Sequence, residues 1–84
     1  MKDFADKVAL ITGAGSGIGR ALSLELAEKG CNLALVDWNE DSLEETKQLL
    51  RKKNVAVSTH AFDISDKEKV TALPDEVIEF HKQI

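Results

Sequence analysis

Four of the five glycines in this 84-residue chain fall at alternate positions, Gly13, Gly15, Gly17 and Gly19. They lie within the stretch VALITGAGSGIGRALSLELAEKG, from Val8 to Gly30. Ordered glycine costs backbone entropy, so the cluster implies a turn that needs unusual dihedrals or a close approach to the backbone. A short apolar run, Val8 to Thr12, precedes it, and a helical pattern, Ile18 to Lys29, follows. The first N–H groups of a helix are unpaired and partly positive, so an anion is favoured there. One glycine permits the tight turn, another lets a pyrophosphate approach the backbone, and a third lets helix and strand pack closely. The chemistry these residues suit is the binding of a phosphate-bearing ligand.

The spacing narrows this. The general dinucleotide fingerprint G-x-G-x-x-G is absent: counted from Gly13 its third glycine would be Ile18, and from Gly15 it would be Arg20. The pattern present is T-G-x-x-x-G-x-G, formed by Thr12, Gly13, Gly17 and Gly19. No Gly-Lys-Ser/Thr follows, which excludes a Walker A loop.

The elements that must position this turn alternate in type. Val8 to Thr12 reads as a strand covered on both faces. Ile18, Ala21, Leu22, Leu26 and Ala27 recur at helical spacing, and Gly30 stands where a helix-ending glycine belongs. Asn32 to Val36 is a second buried-type strand ending at Asp37. Asn39 then caps a second helix, with Glu40 and Asp41 in its first turn and Arg51, Lys52 and Lys53 in its last. Leu43 and Leu50 mark its inner face, and Asn54 is the expected left-handed stop. Val55 to Phe62 reads as a third strand. Ser65 and Glu68 form an S-x-x-E capping box for a third helix, which carries Val70, Leu73, Val77 and Phe80. Pro74 predicts a kink or break in that helix. The result is an α/β, Rossmann-like, three-layer β-α-β-α-β-α unit with a parallel sheet in the order 3-2-1, part of a doubly wound fold.

Composition bounds the function. Hydrophobic residues make up 43% and charged residues 31%, as in a soluble globular chain rather than a disordered one. The net charge of −4, without a basic block, argues against nucleic acid as a partner. No apolar run approaches the roughly 20 residues that cross a bilayer, and MKDFADK has no apolar signal region. The lone Cys31 excludes an internal disulfide and reads as a packing residue rather than a reactive thiol, since no His, Lys or Arg is adjacent. A cytoplasmic, reducing compartment is the expectation. His60 and His81 lack partners at metal spacing and read as ordinary strand and helix residues, so no metal site is expected.

The glycine pattern, an acid ending the second strand in NLALVDWNEDSLEE and the Asp-Ile pair in VSTHAFDISDKEKV stand in one register. In these the chain resembles the N-terminal portion of the short-chain dehydrogenase/reductase family over nearly its whole length. The resemblance implies that Gly13, Gly17 and Gly19 shape a pyrophosphate turn, with Ser16 and the Ile18 backbone at ribose and phosphate oxygens. It implies that Asp37, 18 residues beyond Gly19, accepts hydrogen bonds from adenosine ribose hydroxyls and repels a 2′-phosphate. Ser16, Trp38 and Asn39 stand where NADP binding would favour Arg or Lys, so NAD is favoured over NADP. Asp63 and Ile64 match an adenine pocket, though Asp63 also reads as a turn acid. Trp38 reads equally as flanking adenine or covering the sheet edge. Arg20 could approach a phosphate or contact a neighbouring helix or the surface.

The family's catalytic Ser, Asn and Tyr-x-x-x-Lys have no counterpart, and the chain has no tyrosine. FHKQI falls where a fourth strand would begin, and Lys82 stands where a helix-stopping glycine is common. Residues 1–84 therefore read as the N-terminal portion of an NAD(P)-binding Rossmann domain, truncated or a natural short variant, and inactive alone. The parent enzyme would transfer hydride between NAD(P) and an alcohol or carbonyl. The alternative is a non-catalytic dinucleotide-binding or interaction module. Without a fourth strand the first strand is an open edge, which predicts marginal stability and association there.

Overall fold

Asn32–Asp37 organises the molecule, because its side chains alternate between two faces and both faces are covered. Leu33 and Leu35 point one way, Ala34 and Val36 the other, and all four are buried. The computed structural model describes residues 7–82. Most of the segment examined for a signal, and the last two residues of FHKQI, lie outside the described residues. The elements are β1 (Val8–Thr12), α1 (Gly17–Glu28), β2 (Asn32–Asp37), α2 (Glu40–Leu49), β3 (Val57–Ala61) and α3 (Lys67–His81). The three strands are parallel in the order β1-β2-β3, with Thr12 opposite Val36 and Asp37 opposite Ala61. This is the expected 3-2-1 sheet. Both crossovers run through helices, as parallel neighbours require.

The three layers follow from β2. On the Leu33 and Leu35 side, α1 and α2 bury Ala27, Leu43 and Leu50 together with Ile11, Ala14 and Cys31. Leu33, Leu35, Leu43 and Leu50 are each at most 1% exposed, and each contributes about 1.5–3 kcal/mol by leaving water. On the other side, α3 sets Leu73 and Val77 against Ala34 and Val36. Cys31 is buried, and burial pushes its thiol pKa up, which matches a packing residue.

Several local expectations are corrected. The helical spacing of Ile18 and Leu22 is borne out by α1, but their side chains are 87% and 44% exposed. The buried residues of α1 are Ser23 and Ala27, which with Gly19 make a stripe of small residues at four-residue spacing. A small stripe lets the helix come close to β1 and the turn. Asn39 does cap α2, accepting from the Ser42 N–H at 3.0 Å. The helix ends at Leu49, so Lys47 lies in its last turn and Arg51, Lys52 and Lys53 lie beyond it. Asn54 is not left-handed; successive tight bonds, Arg51 N–H to Gln48 O and Lys53 N–H to Leu50 O, end the helix instead. β3 is shorter than Val55 to Phe62, spanning Val57–Ala61. Ser65 does not cap α3. Its N–H and hydroxyl both donate to Asp63 Oδ1, and Asp66 takes the cap position, accepting from the Lys69 N–H at 3.2 Å. Asp caps as well as Ser, so the competing bond to Asp63 decides the position.

α3 continues through Pro74 without a break. Pro74 is exposed, while Leu73 and Val77 on either side of it are buried and hold the segment to the sheet. Tertiary packing here outweighs the lost backbone bond. Lys82 ends the helix at φ 54, ψ 37, the left-handed conformation for which glycine is usual.

The two histidines meet through Ser58. Its Oγ lies 2.8 Å from His60 Nε2 and 3.0 Å from His81 Nε2, and His60 Nδ1 lies 3.1 Å from Glu76 Oε1. Burial first, and then the nearby His60, hold the His81 pKa below the usual histidine value of 6.5, with the Leu33 main chain partly opposing. The unfolded chain therefore takes up this proton at a pH where the folded chain resists it. Stability present above pH 6.5 is lost as the pH falls toward the lower folded value. The urea midpoint is expected to drop between pH 7.5 and 5.5, and His81→Gln is expected to make that drop smaller. An equal drop in both proteins would assign the acid sensitivity elsewhere.

Candidate functional site: a cleft at the carboxyl ends of the strands

The glycine turn has a fixed back and an open front. At the back, the Ala14 N–H donates to Val36 O at 3.0 Å, tying the turn to the end of β2. The Ala14 carbonyl accepts from Thr46 Oγ1 of α2 at 2.8 Å. The Gly15 N–H donates to Asp37 Oδ2 at 2.8 Å. The Gly15 carbonyl accepts from the Arg20 guanidinium. Both residues thus have their main-chain polar groups taken by neighbouring elements. At the front, Gly13 and Gly17 sit at φ +65 and +57, and a Cβ built on either would meet nothing within 4 Å. These positions need glycine for their dihedrals and leave open space where a side chain would project.

Gly19 differs. Its Cβ would lie 2.1 Å from Gly13 O and 2.7 Å from Gly13 C, so its role is to let α1 rest against the turn. Ser16 is the N-cap of α1 but makes no side-chain cap bond. The α1 first turn carries no acid, so its partly positive end is not offset there.

Beside the turn, a cleft of about 450 Å³ is lined by Thr12, Gly13, Val36, Asp37, Trp38, Phe62, Asp63 and Ile64. Of the candidate site residues, it brings together Gly13, Asp37, Trp38, Asp63 and Ile64. Ser16, Gly17, Ile18 and Gly19 belong to the neighbouring start of α1 and do not line it. The order of elements explains the place: each lining residue stands at or just after the carboxyl end of a strand, where the crossovers diverge. Trp38 and Ile64 are 75% and 62% exposed, so two apolar side chains stand in water on the cleft wall. Among the described residues, the ionisable groups in the wall are Asp37 and Asp63, and none of its lining side chains is a cation.

Asp37 is placed by two contacts: Oδ2 takes the Gly15 N–H, and Oδ1 lies 3.3 Å from the Asn39 N–H. Asp63 serves two purposes at once. It lines the cleft, and it accepts the Ser65 N–H and hydroxyl, which hold its carboxyl below the usual carboxylate range. Arg20 turns away from the open front. Its Nε donates to Thr46 Oγ1 at 2.9 Å, and its Nη2 reaches Ser42 O at 3.2 Å and Glu45 Oε1 at 3.1 Å. The helix-contact reading of Arg20 is the observed one. Thr46 and Ser42 were not legible as site residues, because nothing in a polar residue of an amphipathic helix marks which distant carbonyl it will meet.

These groups fit an adenine dinucleotide: open space at Gly13 and Gly17 beside a helix start, a carboxylate at the end of β2, and a cleft with exposed apolar side chains beside it. Among the described residues, no group of three His, Cys, Asp or Glu side chains could hold a metal ion. Nor is any helix among them long and apolar enough to cross a membrane.

Comparison with known proteins agrees with this geometry. Residues 7–84 match the family model for short chain dehydrogenase. The chain is 46% identical over 78 residues to the putative oxidoreductase SadH of Mycobacterium tuberculosis, covering 93% of this chain and 28% of that protein. It superposes on NAD+-bound xylitol dehydrogenase with a TM-score of 0.92 and 38% identity, over 98% of this chain and 32% of that one. A short chain dehydrogenase/reductase from Burkholderia phymatum in complex with NAD gives 0.90 and 39%, over 100% and 30%. A metagenomic short-chain oxidoreductase in complex with NADP gives 0.86 and 25%, over 94% and 36%. The chain thus spans under a third of the length of the curated relative.

Proposed function

The chain belongs to the short-chain dehydrogenase family, and from that premise we propose that it is the N-terminal, cofactor-binding portion of an oxidoreductase that uses NAD. The observation that carries the choice of NAD is the Asp37 carboxylate, held by Gly15 in a cleft wall that contains two acids and no cation. A carboxylate there accepts hydrogen bonds from both adenosine ribose hydroxyls and repels a 2′-phosphate. In this reading Gly13, Gly17 and Gly19, with Ser16 and the Ile18 main chain, hold the pyrophosphate at the start of α1. Trp38 and Ile64 flank the adenine, and Asp63 accepts from its exocyclic amine.

Bound NAD supplies a hydride acceptor; the chain's own residues bind, orient and select the adenosine half. With no tyrosine in these 84 residues, the acid/base step on an alcohol or carbonyl belongs to residues outside them. The second reading is a dinucleotide-binding module without chemistry. Calorimetric titration with NAD, NADP, ADP-ribose and AMP tests the binding claim that both readings share. Binding of NAD and ADP-ribose with much weaker NADP supports it, and no heat up to millimolar nucleotide refutes it.

The reading includes a partner. β1 is an edge of the sheet, Leu10 is 46% exposed, and Val8, Leu10, Pro74, Val77 and Ile78 line an apolar groove beside it. An open edge strand invites pairing. The 84-residue chain is expected to show a concentration-dependent mass in sedimentation, reduced by Leu10→Lys. A monomer across that range would refute association.

A further inference from the structure

Resting on the cofactor reading above, we infer that Arg20 and Thr46 are positioning residues that make α2 a clamp on the cofactor turn and set its preference between nucleotides. Ser42, Glu45 and Thr46 stand at three- and four-residue spacing on one side of α2, and all three meet Arg20. Thr46 is fully buried, and its hydroxyl is used twice: it donates to Ala14 O and accepts from Arg20 Nε. The guanidinium is a rigid planar fork of donors, so its bond to Thr46 fixes the direction of Nη2 toward Gly15 O.

The Gly15 residue is therefore held from both ends. Arg20 takes its carbonyl and Asp37 takes its N–H. The fit is close, since a Cβ on Gly15 would lie 2.6 Å from Ser42 Cβ and 2.8 Å from Asp37 Oδ2. A shift of Gly15 toward α2 is blocked by Ser42, and a shift the other way breaks the bond that aims Asp37. Asp37 is the group that tells a 2′-hydroxyl from a 2′-phosphate in the proposed function. The clamp thus acts on selectivity through Gly15, and Arg20 acts without touching the ligand. Its Nε and Nη2 donors are taken by Thr46 Oγ1, Gly15 O, Ser42 O and Glu45 Oε1.

The test is calorimetry on the full chain with NAD, NADP and ADP-ribose, using Thr46→Val, Thr46→Ser, Arg20→Leu and Thr46→Val/Arg20→Leu. Thr46→Val and Arg20→Leu are each expected to weaken NAD and ADP-ribose about tenfold, as for loss of one charge-assisted hydrogen bond. NADP should weaken less, so the preference for NAD narrows. Thr46→Ser restores the hydroxyl and should restore the preference. The double variant should cost no more than about one single change, since both act through one network. A purely structural role would lower affinity for all nucleotides by one factor and leave their ratio unchanged, which overturns the inference. So does an equal Arg20→Leu loss for all three nucleotides with Thr46→Val silent, since Arg20 would then be a ligand of the pyrophosphate they share. No binding by the unsubstituted chain overturns the cofactor reading, and this inference with it. The Arg20 side chain is 27% exposed, so Arg20→Leu carries the test if Thr46→Val does not fold.

Discussion

Asp37→Ala is expected to weaken NAD and ADP-ribose about 10- to 100-fold while NADP changes little or binds more tightly. Two ribose hydroxyls donating to one carboxylate are charge-assisted bonds, each in the range of about 1.5–3 kcal/mol. At about 1.4 kcal/mol per decade, the loss of even one gives the lower bound. The NADP side has the opposite sign, because the substitution removes a negative charge from a wall that already holds Asp63 and has no cation. Alanine also removes the acceptor of the Gly15 N–H, so part of its effect passes through the turn. Asp37→Asn separates the two contributions. Its amide oxygen still accepts from Gly15, while the charge that repels a 2′-phosphate is gone. Asn is expected to lose less NAD affinity than Ala while removing the same repulsion of a 2′-phosphate, so it still narrows the gap between NAD and NADP. Calorimetry with the four nucleotides reads all of these. If both variants bind NAD as the unsubstituted chain does, Asp37 is only the acid that supports the turn, and the basis for NAD selection is lost.

What the sequence revealed of this site depended on how local the signal was. The strands were legible because each is a short apolar run bounded by breakers, and the sheet order followed from the alternation of strand and helix. The place of Asp37 and Asp63 at one rim was legible because Asp37 ends β2 and Asp63 follows the end of β3 by two residues, which is a matter of topology. The local stop signals did less well. Ser65 and Asp66 are adjacent and equally good caps, and only the bond from Ser65 to Asp63 chooses between them. Asn54 has the right propensity for a left-handed stop, yet the chain had already turned through Leu50 and Lys53. Pro74 carries a strong local penalty, and two buried neighbours override it. Least legible were the polar contacts across elements. Thr46 reaches Ala14 over 32 positions, and His60 reaches Glu76 over 16. The alternation that puts Ser58 and His60 on one face of β3 was visible in principle, but not the helix that would meet them.

The four clustered glycines do different work, and substituting them separates folding from binding. Gly19→Ala is expected to lose most of the chain's stability and to melt at a much lower temperature than the unsubstituted protein. Its Cβ would sit 2.1 Å from Gly13 O, 2.7 Å from Gly13 C and 3.1 Å from Ala14 Cα, and every one of these is backbone. No rotamer change relieves such an overlap, so α1 has to lift from the turn. Lifting it opens the contact of the small stripe Gly19, Ser23 and Ala27, and with it the packing of buried Ala14 and Ile11. Overpacking against yielding side chains costs about 1–3 kcal/mol, and against backbone at least the upper end of that range. A domain of this size holds roughly 5 kcal/mol in total, so the remaining margin is small. Gly13→Ala and Gly17→Ala meet no atom within 4 Å and pay only for the left-handed dihedral, about 1–2 kcal/mol. Both should remain folded by circular dichroism. Yet each puts a methyl group into the space proposed for the pyrophosphate, so each should lose ADP-ribose binding in calorimetry. Melting and titration therefore separate the three variants: Gly19→Ala fails both, and the other two fail only the second. A Gly19→Ala protein that melts like the unsubstituted chain would show that α1 is not seated on the turn. Gly13→Ala and Gly17→Ala proteins that bind ADP-ribose normally would move the phosphate away from the glycines.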